Sequence, residues 1–194
     1  MRIYDTGASG RTVSAVTYNG VALTKLNSIT AAVESSTQDG ELWYLIAPAT
    51  GSHTIAVTLT GSVSHSASSA MSYTGVDQSS PIDSSNTGQN NSGTATFTLS
   101  TTVAKSNCWL VGGVMARDSG PPAAGTGTTL RGLNSGSWTT GGDSNGTVGT
   151  GSQSLVFTHT SGKWPVANIA AICPTAPAAT PSASILDMVR AFWF

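Results

Sequence analysis

The spacing of the apolar runs constrains this chain more than anything else in it. Short segments rich in β-branched and aromatic residues recur every ten residues or so from Thr12 to Cys173, separated by Gly, Asn, Asp, Ser and Pro. No segment of any length keeps the i, i+3, i+4, i+7 apolar pattern of an amphipathic helix. Such a chain buries its apolar residues by pairing strands and stacking sheets. The expected fold is all-β: an antiparallel β-sandwich, jelly-roll-like, of roughly eight to ten strands, with a C-terminal extended arm.

The clearest local signal is a hairpin. Thr12–Tyr18 and Val21–Leu26 flank Asn19-Gly20, a pair that accepts positive φ at both central positions of a type I′ turn. Glu41–Ile46 and His53–Thr60 follow, the second alternating with Ile55, Val57 and Leu59 on one face. Further strands are expected at Ala70–Thr74, at Thr94–Leu99 with Phe97 and Leu99 inward, at Ser154–His159 and at Val166–Cys173. Cys108–Ala116 is more continuously apolar, as a central strand covered on both faces would be. The stretches Gly75–Gly93 and Ser119–Thr129 read as loops. Ile3–Gly7 echoes Met115–Gly120 in placing Asp-(Ser/Thr)-Gly after an apolar strand, which would start the first strand at or before Met1.

Composition speaks to the setting. Only 9% of the residues are charged, against about 25% in typical domains, and Ser and Thr make up roughly three in ten. No apolar run behind a basic segment marks a secretory signal at the start. A virion protein, made in the cytoplasm and released with the particle, fits both facts; an extracellular or cell-surface location is the alternative. The net charge of −1 and the scattered basic residues argue against a nucleic-acid partner. No apolar stretch approaches the roughly 20 residues needed to span a bilayer, so a membrane partner is not expected either.

The chain divides into a sandwich domain at 1–173, a Pro/Ala-rich connector at 174–184 and an apolar tail at 185–194. The tail has three readings: a last strand folded onto its own sandwich, a short amphipathic helix on a partner, or a docking arm. In the last case Ile185, Leu186, Val189, Phe192, Trp193 and Phe194 form an assembly interface with another copy or another virion protein. Cys108 and Cys173 each sit in an apolar run and are expected as buried free thiols. A disulfide between neighbouring core strands is the alternative, if their Cα atoms lie within about 7 Å. The two-cysteine count rules out a four-cysteine zinc site.

Signals for chemistry are sparse. There are two glutamates, Glu34 and Glu41, and no obvious carboxylate pair. His53, His65 and His159 are isolated in Ser/Thr-rich surroundings and read as polar-face residues. Gly142-Asp143-Ser144-Asn145-Gly146 matches the Gly-x-Ser-x-Gly spacing of a nucleophile elbow, but its Gly/Thr flanks suit a loop better than the strand and helix that motif needs. Asp143–Gly146 also resembles part of a calcium loop without its later bidentate carboxylate. Asn90-Asn91-Ser92 and Asn145-Gly146-Thr147 match the glycosylation pattern. Trp43 and Trp109 lie in apolar strands and are expected in the core, whereas Trp138 and Trp164 fall in loops and are the candidate glycan contacts.

Val16–Lys25, Glu41–Leu45, Gly51–Ile55 and Ser72–Asp77 together resemble a β-sandwich display and adhesion module of phage structural proteins and bacterial surface proteins, over roughly residues 12–173. The resemblance implies fold and setting, and carries over no catalytic, cofactor or metal residue. The function expected is that of a non-enzymatic phage virion component, a capsid decoration, head-fibre or tail-surface subunit that assembles as a homo-oligomer or with other virion proteins. The alternative is a carbohydrate-binding module with a glycan partner. If 185–194 is a docking arm, its removal leaves a folded monomer, and light scattering on the full and truncated chains reads this directly; unchanged assembly would count against the arm.

Overall fold

The structure is a computed structural model that describes residues 2–5, 10–33, 36–90, 93–117, 121–133, 139–159 and 163–175. Trp138, Glu34 and the whole 185–194 tail lie outside the described residues. Among the described residues there is no helix. The strands are β1 (Arg2–Asp5), β2 (Val13–Tyr18), β3 (Val21–Ala22), β4 (Thr24–Val33), β5 (Ser36–Tyr44), β6 (Ile55–Leu59), β7 (His65–Ala67) and β8 (Ile82–Asn90). They continue with β9 (Thr96–Val103), β10 (Trp109–Arg117), β11 (Ala123–Ala124), β12 (Thr129–Leu133), β13 (Thr139–Asp143), β14 (Gly151–Thr158) and β15 (Lys163–Ile172).

These strands form four antiparallel sheets, ordered β3-β2-β6, β4-β5-β1-β7, β12-β13-β10-β15-β8 and β11-β14-β9. The alternation of side chains shows how they stack. On β15, Ala167, Ile169 and Ala171 join Phe97, Leu99, Leu155 and Phe157 in the main apolar core against β9 and β14. Val166 packs with Met115, Ala31 and Ile29 toward β4, and Asn168 on the same face donates from Nδ2 to Asn27 Oδ1 at 2.7 Å. Residues 166–171 are all 0 or 1% exposed, so β15 is covered on both faces. The outer face of β5 meets the β2 hairpin, where Trp43 packs with Val13, Val16, Val57 and Leu59. The fold is thus all-β and sandwich-like, as expected, with a five-stranded sheet enclosed between two others. The strand order does not speak for a jelly roll in particular.

The Asn19-Gly20 hairpin forms as its sequence predicts: Tyr18 pairs with Val21, and φ is 50° at Asn19 and 79° at Gly20. Phe97 and Leu99 point inward, each 6% exposed, and β10 lies in the middle of its sheet. Ile55 departs from the inward face expected of it, at 43% exposed; it pairs with Tyr18 beside the Asn19-Gly20 turn, at the end of the ladder.

One strand assignment and two loop assignments are overturned. Ala70–Thr74 is not a strand; it runs as irregular chain over the end of the central sheet and packs its side chains there instead of pairing its backbone. The expected loop Gly75–Gly93 contains β8, whose Ser, Asn, Thr and Gln have weak strand preference but pair along the apolar β15. Within Ser119–Thr129, Ala123–Ala124 makes a short strand against β14.

The cysteines are also corrected. Trp109 pairs with Ile172 in the β10–β15 ladder, so Cys108 and Cys173 fall opposite each other just beyond it. Their Cα atoms are 4.1 Å apart and the sulfurs are bonded. Both residues are fully buried at the edge of the main core, and the bond closes a loop spanning 65 residues in sequence. A cross-link over that length stabilises chiefly by restricting the unfolded chain, by about 4 kcal/mol in the chain-entropy account. Replacing both cysteines with alanine should lower the unfolding free energy by roughly 2–5 kcal/mol, measured by denaturant titration under non-reducing conditions.

Candidate functional site

A cleft of about 620 Å³ opens at one end of the central sheet. Its floor comes from three neighbouring strands. Trp109 and Ile172 face each other across β10 and β15, and Asp143 ends β13 opposite Val111. The wall is the 70–76 segment, of which Ala70–Thr74 was expected to be a strand, and Asn107, Arg131, Thr147 and Pro174 complete the rim. The segment comes close because the sheet carries glycine beneath it: a Cβ at Gly141 would lie 2.6 Å from Ser69 Oγ.

Trp109 shares a pleat face with Val111 and Met115, but it lies at the strand end, where the covering sheet no longer reaches. It therefore lines the cleft half-buried, and the expectation that it is a core residue is corrected. Tyr73 leans over it with ring centres 5.9 Å apart and planes tilted by 58°. The two rings form an apolar corner beside a polar one.

Asp143 organises the polar corner. Its side chain is 1% exposed, and its Oδ2 accepts from the Tyr73 hydroxyl and from Arg131 Nε, both at 2.8 Å. Its Oδ1 accepts from the Asn145 backbone N–H at 2.9 Å, and Arg131 Nη2 reaches Asn145 Oδ1 at 2.6 Å. Burial alone would raise the Asp143 carboxyl, but the hydrogen bonds from Arg131, Tyr73 and Asn145 and the guanidinium charge outweigh it and hold the group below its ordinary value. Tyr73 is pushed well above the usual phenol range by burial, then by its bond to the Asp143 carboxylate and that group's charge. Its hydroxyl is a donor throughout the physiological range. Arg131 is raised, chiefly by its hydrogen bond to Asp143.

This geometry disposes of two sequence motifs. Ser144 Oγ donates to the Gly146 carbonyl at 2.7 Å and accepts from Leu110 N–H at 3.1 Å, and a turn rather than a helix follows, so it is not a poised nucleophile. The partial calcium loop has its one carboxylate committed to Arg131. Asp83 lies near the two sulfurs, but these are joined to each other and offer no thiolate to a metal.

Trp164 lies inside β15, paired with Asn90, and not in a loop as its sequence context suggests. A register irregularity between Trp164 and Ala167 accommodates Pro165, which cannot donate to the ladder. His53 and His65 are exposed as expected, whereas His159 is buried at 7% exposure, its backbone N–H bonded to the Ala95 carbonyl.

Sequence reasoning also missed a carboxyl pair. Asp39 and Glu41 stand two apart on β5 and so share the face turned to the β2 hairpin, both buried. The one signal for them was that i, i+2 spacing.

Set against profiles of known protein families, curated proteins and solved structures, the chain matches none. The resemblance over residues 12–173 rests on its turn and packing residues alone.

Because Asp143 has a lower pKa folded than unfolded, its contribution is present in full above about pH 4, the unfolded value, and is lost as pH falls through the folded value. Asp143→Asn should therefore be less stable than the parent at neutral pH and lose less stability on acidification. Urea titrations between about pH 2 and pH 6 read this; parallel curves for the two proteins would contradict it.

Proposed function

We propose that this chain is a non-enzymatic display and adhesion module on the surface of a phage virion, and that the cleft at Trp109 is where it takes a carbohydrate. One observation carries the reading: the half-buried Trp109–Tyr73 corner lies beside Arg131 and Asn107 in a cleft open to solvent. Sugar rings present apolar faces edged by hydroxyls, so they suit a flat aromatic surface bordered by fixed donors and acceptors. The Arg131–Asp143–Tyr73 network holds that border in place, since each group is already fixed by the next. In this reading the glycan contact is Trp109 on β10 rather than Trp138 or Trp164.

The setting is supported by the sparsely charged, Ser/Thr-rich composition and by the disulfide, a bond that persists on virion and cell surfaces and is rare in the cytosol. Attachment to a particle, in this reading, falls to the apolar 185–194 tail. The connector leaves from the cleft rim, where Pro174 bridges to Val76.

The test is a glycan array followed by titration of any hit against tryptophan fluorescence. Saturable binding that Trp109→Ala reduces at least tenfold, with the disulfide and far-UV spectrum intact, is the expected outcome. Binding that survives this substitution would place the glycan elsewhere, and no binding across a broad array would remove the adhesive function.

A further inference from the structure

The clearest unexplained chemistry lies away from the cleft, between the β4–β5 ribbon and the β2 hairpin. Lys25 on β4 pairs across from Trp43 on β5, and its Nζ is 2.9 Å from Glu41 Oε2 and 5.0 Å from the centre of the Trp43 ring. The Glu41 side chain is fully buried. Its Oε1 accepts from the Val13 backbone N–H at 3.0 Å, and its Oε2 accepts from Trp43 Nε1 at 2.7 Å. The second carboxyl, Asp39, is 2% exposed; Thr30 Oγ1 donates to its Oδ1 at 3.0 Å, while its Oδ2 is buried with no hydrogen-bond partner among the described residues.

We propose that this cluster is a self-modifying site in which Lys25 and Glu41 condense to an amide, covalently joining β4 to β5 through their side chains.

The chemistry needs an amine against a carboxyl carbon, donors for the oxyanion, a neutral acid for the leaving oxygen and little water. Each is present. The ammonium gives a proton to the carboxylate, leaving a neutral amine and a carboxylic acid. The Nζ lone pair then attacks Glu41 Cδ, and the Val13 N–H is aimed at the oxygen that takes the developing charge. Asp39 hands its proton to the departing Oε2 and regains one as the nitrogen sheds its own. The C–Oε2 bond breaks, the C–N bond forms and one water leaves, so no oxidant or co-reactant is required. Burial, and then the neighbouring Glu41 carboxylate, raise Asp39 well above the ordinary carboxyl range, which suits it to hold the proton this step needs. Condensation also removes an ion pair whose carboxylate is buried, where desolvation opposes the charged form. The β-ladder supplies proximity by holding amine and carboxyl on adjacent strands.

The experiment is the intact mass of the purified full-length protein, followed by a tryptic map. Condensed protein weighs one water less than its disulfide-bonded sequence, and trypsin no longer cuts after Lys25, leaving residues 12–105 as a single fragment one water light. Lys25→Arg and Asp39→Asn should restore the full mass, with a far-UV spectrum and intact disulfide showing that each variant is folded. The full sequence mass in folded wild-type protein would overturn the proposal whatever the variants do. A missing water with cleavage after Lys25 intact would also overturn it, by pointing to an imide at Asp39-Gly40. Neither result depends on the glycan reading, which concerns a cleft that none of these residues lines.

Discussion

The architecture depends on one strand being buried from both sides. β15 pairs with β10 and β8 through its backbone, and packs alternate side chains into two different interfaces. A strand in that position has no solvent face, which is why small apolar residues dominate 166–171 and why the one polar residue among them, Asn168, has its amide bonded to Asn27 Oδ1. The disulfide adds to this constraint at the end of the same strand pair, tying the chain just before β10 to the chain just after β15.

The cleft follows from the same arrangement. Trp109 and Ile172, which alternation would place in an interface, pair at the end of the β10–β15 ladder and line the cleft there instead. The chain leaving β7 crosses this end without forming a strand over Ala70–Thr74, and its Tyr73 closes the network around Asp143. Asp143 tolerates burial because three donors, one of them the cationic Arg131, converge on it. Asp39 is in the opposite state: it has fewer donors and an acidic neighbour, so burial favours its neutral form. The two buried aspartates show how the partners, rather than burial itself, decide the charge.

Much of the sheet structure was legible in the chain. The Asn19-Gly20 turn, the inward Phe97 and Leu99 and the central β10 all follow from local rules, since turn chemistry and side-chain alternation act within a few residues. β8 was not legible, because Ser, Asn and Thr become a strand only when β15 offers an edge to pair with. The candidate site was less legible still. Tyr73 and Asp143 are 70 residues apart in sequence and meet only when the β7–β8 connection crosses the sheet. Trp109 was visible as an aromatic in a strand, but its position relative to the end of a covering layer was not.

Sequence by itself therefore determined the class of structure, since a chain whose apolar residues come in short, turn-bounded runs can bury them only between sheets. It also determined where the tight turn falls. Tertiary structure alone decided that the two cysteines meet, that the buried Asp39 and Glu41 come together beside Lys25, and that Trp109 faces a cleft. These outcomes depend on strand register and on where one sheet stops covering another. Both are set by long-range packing over the whole chain, which no local stretch encodes.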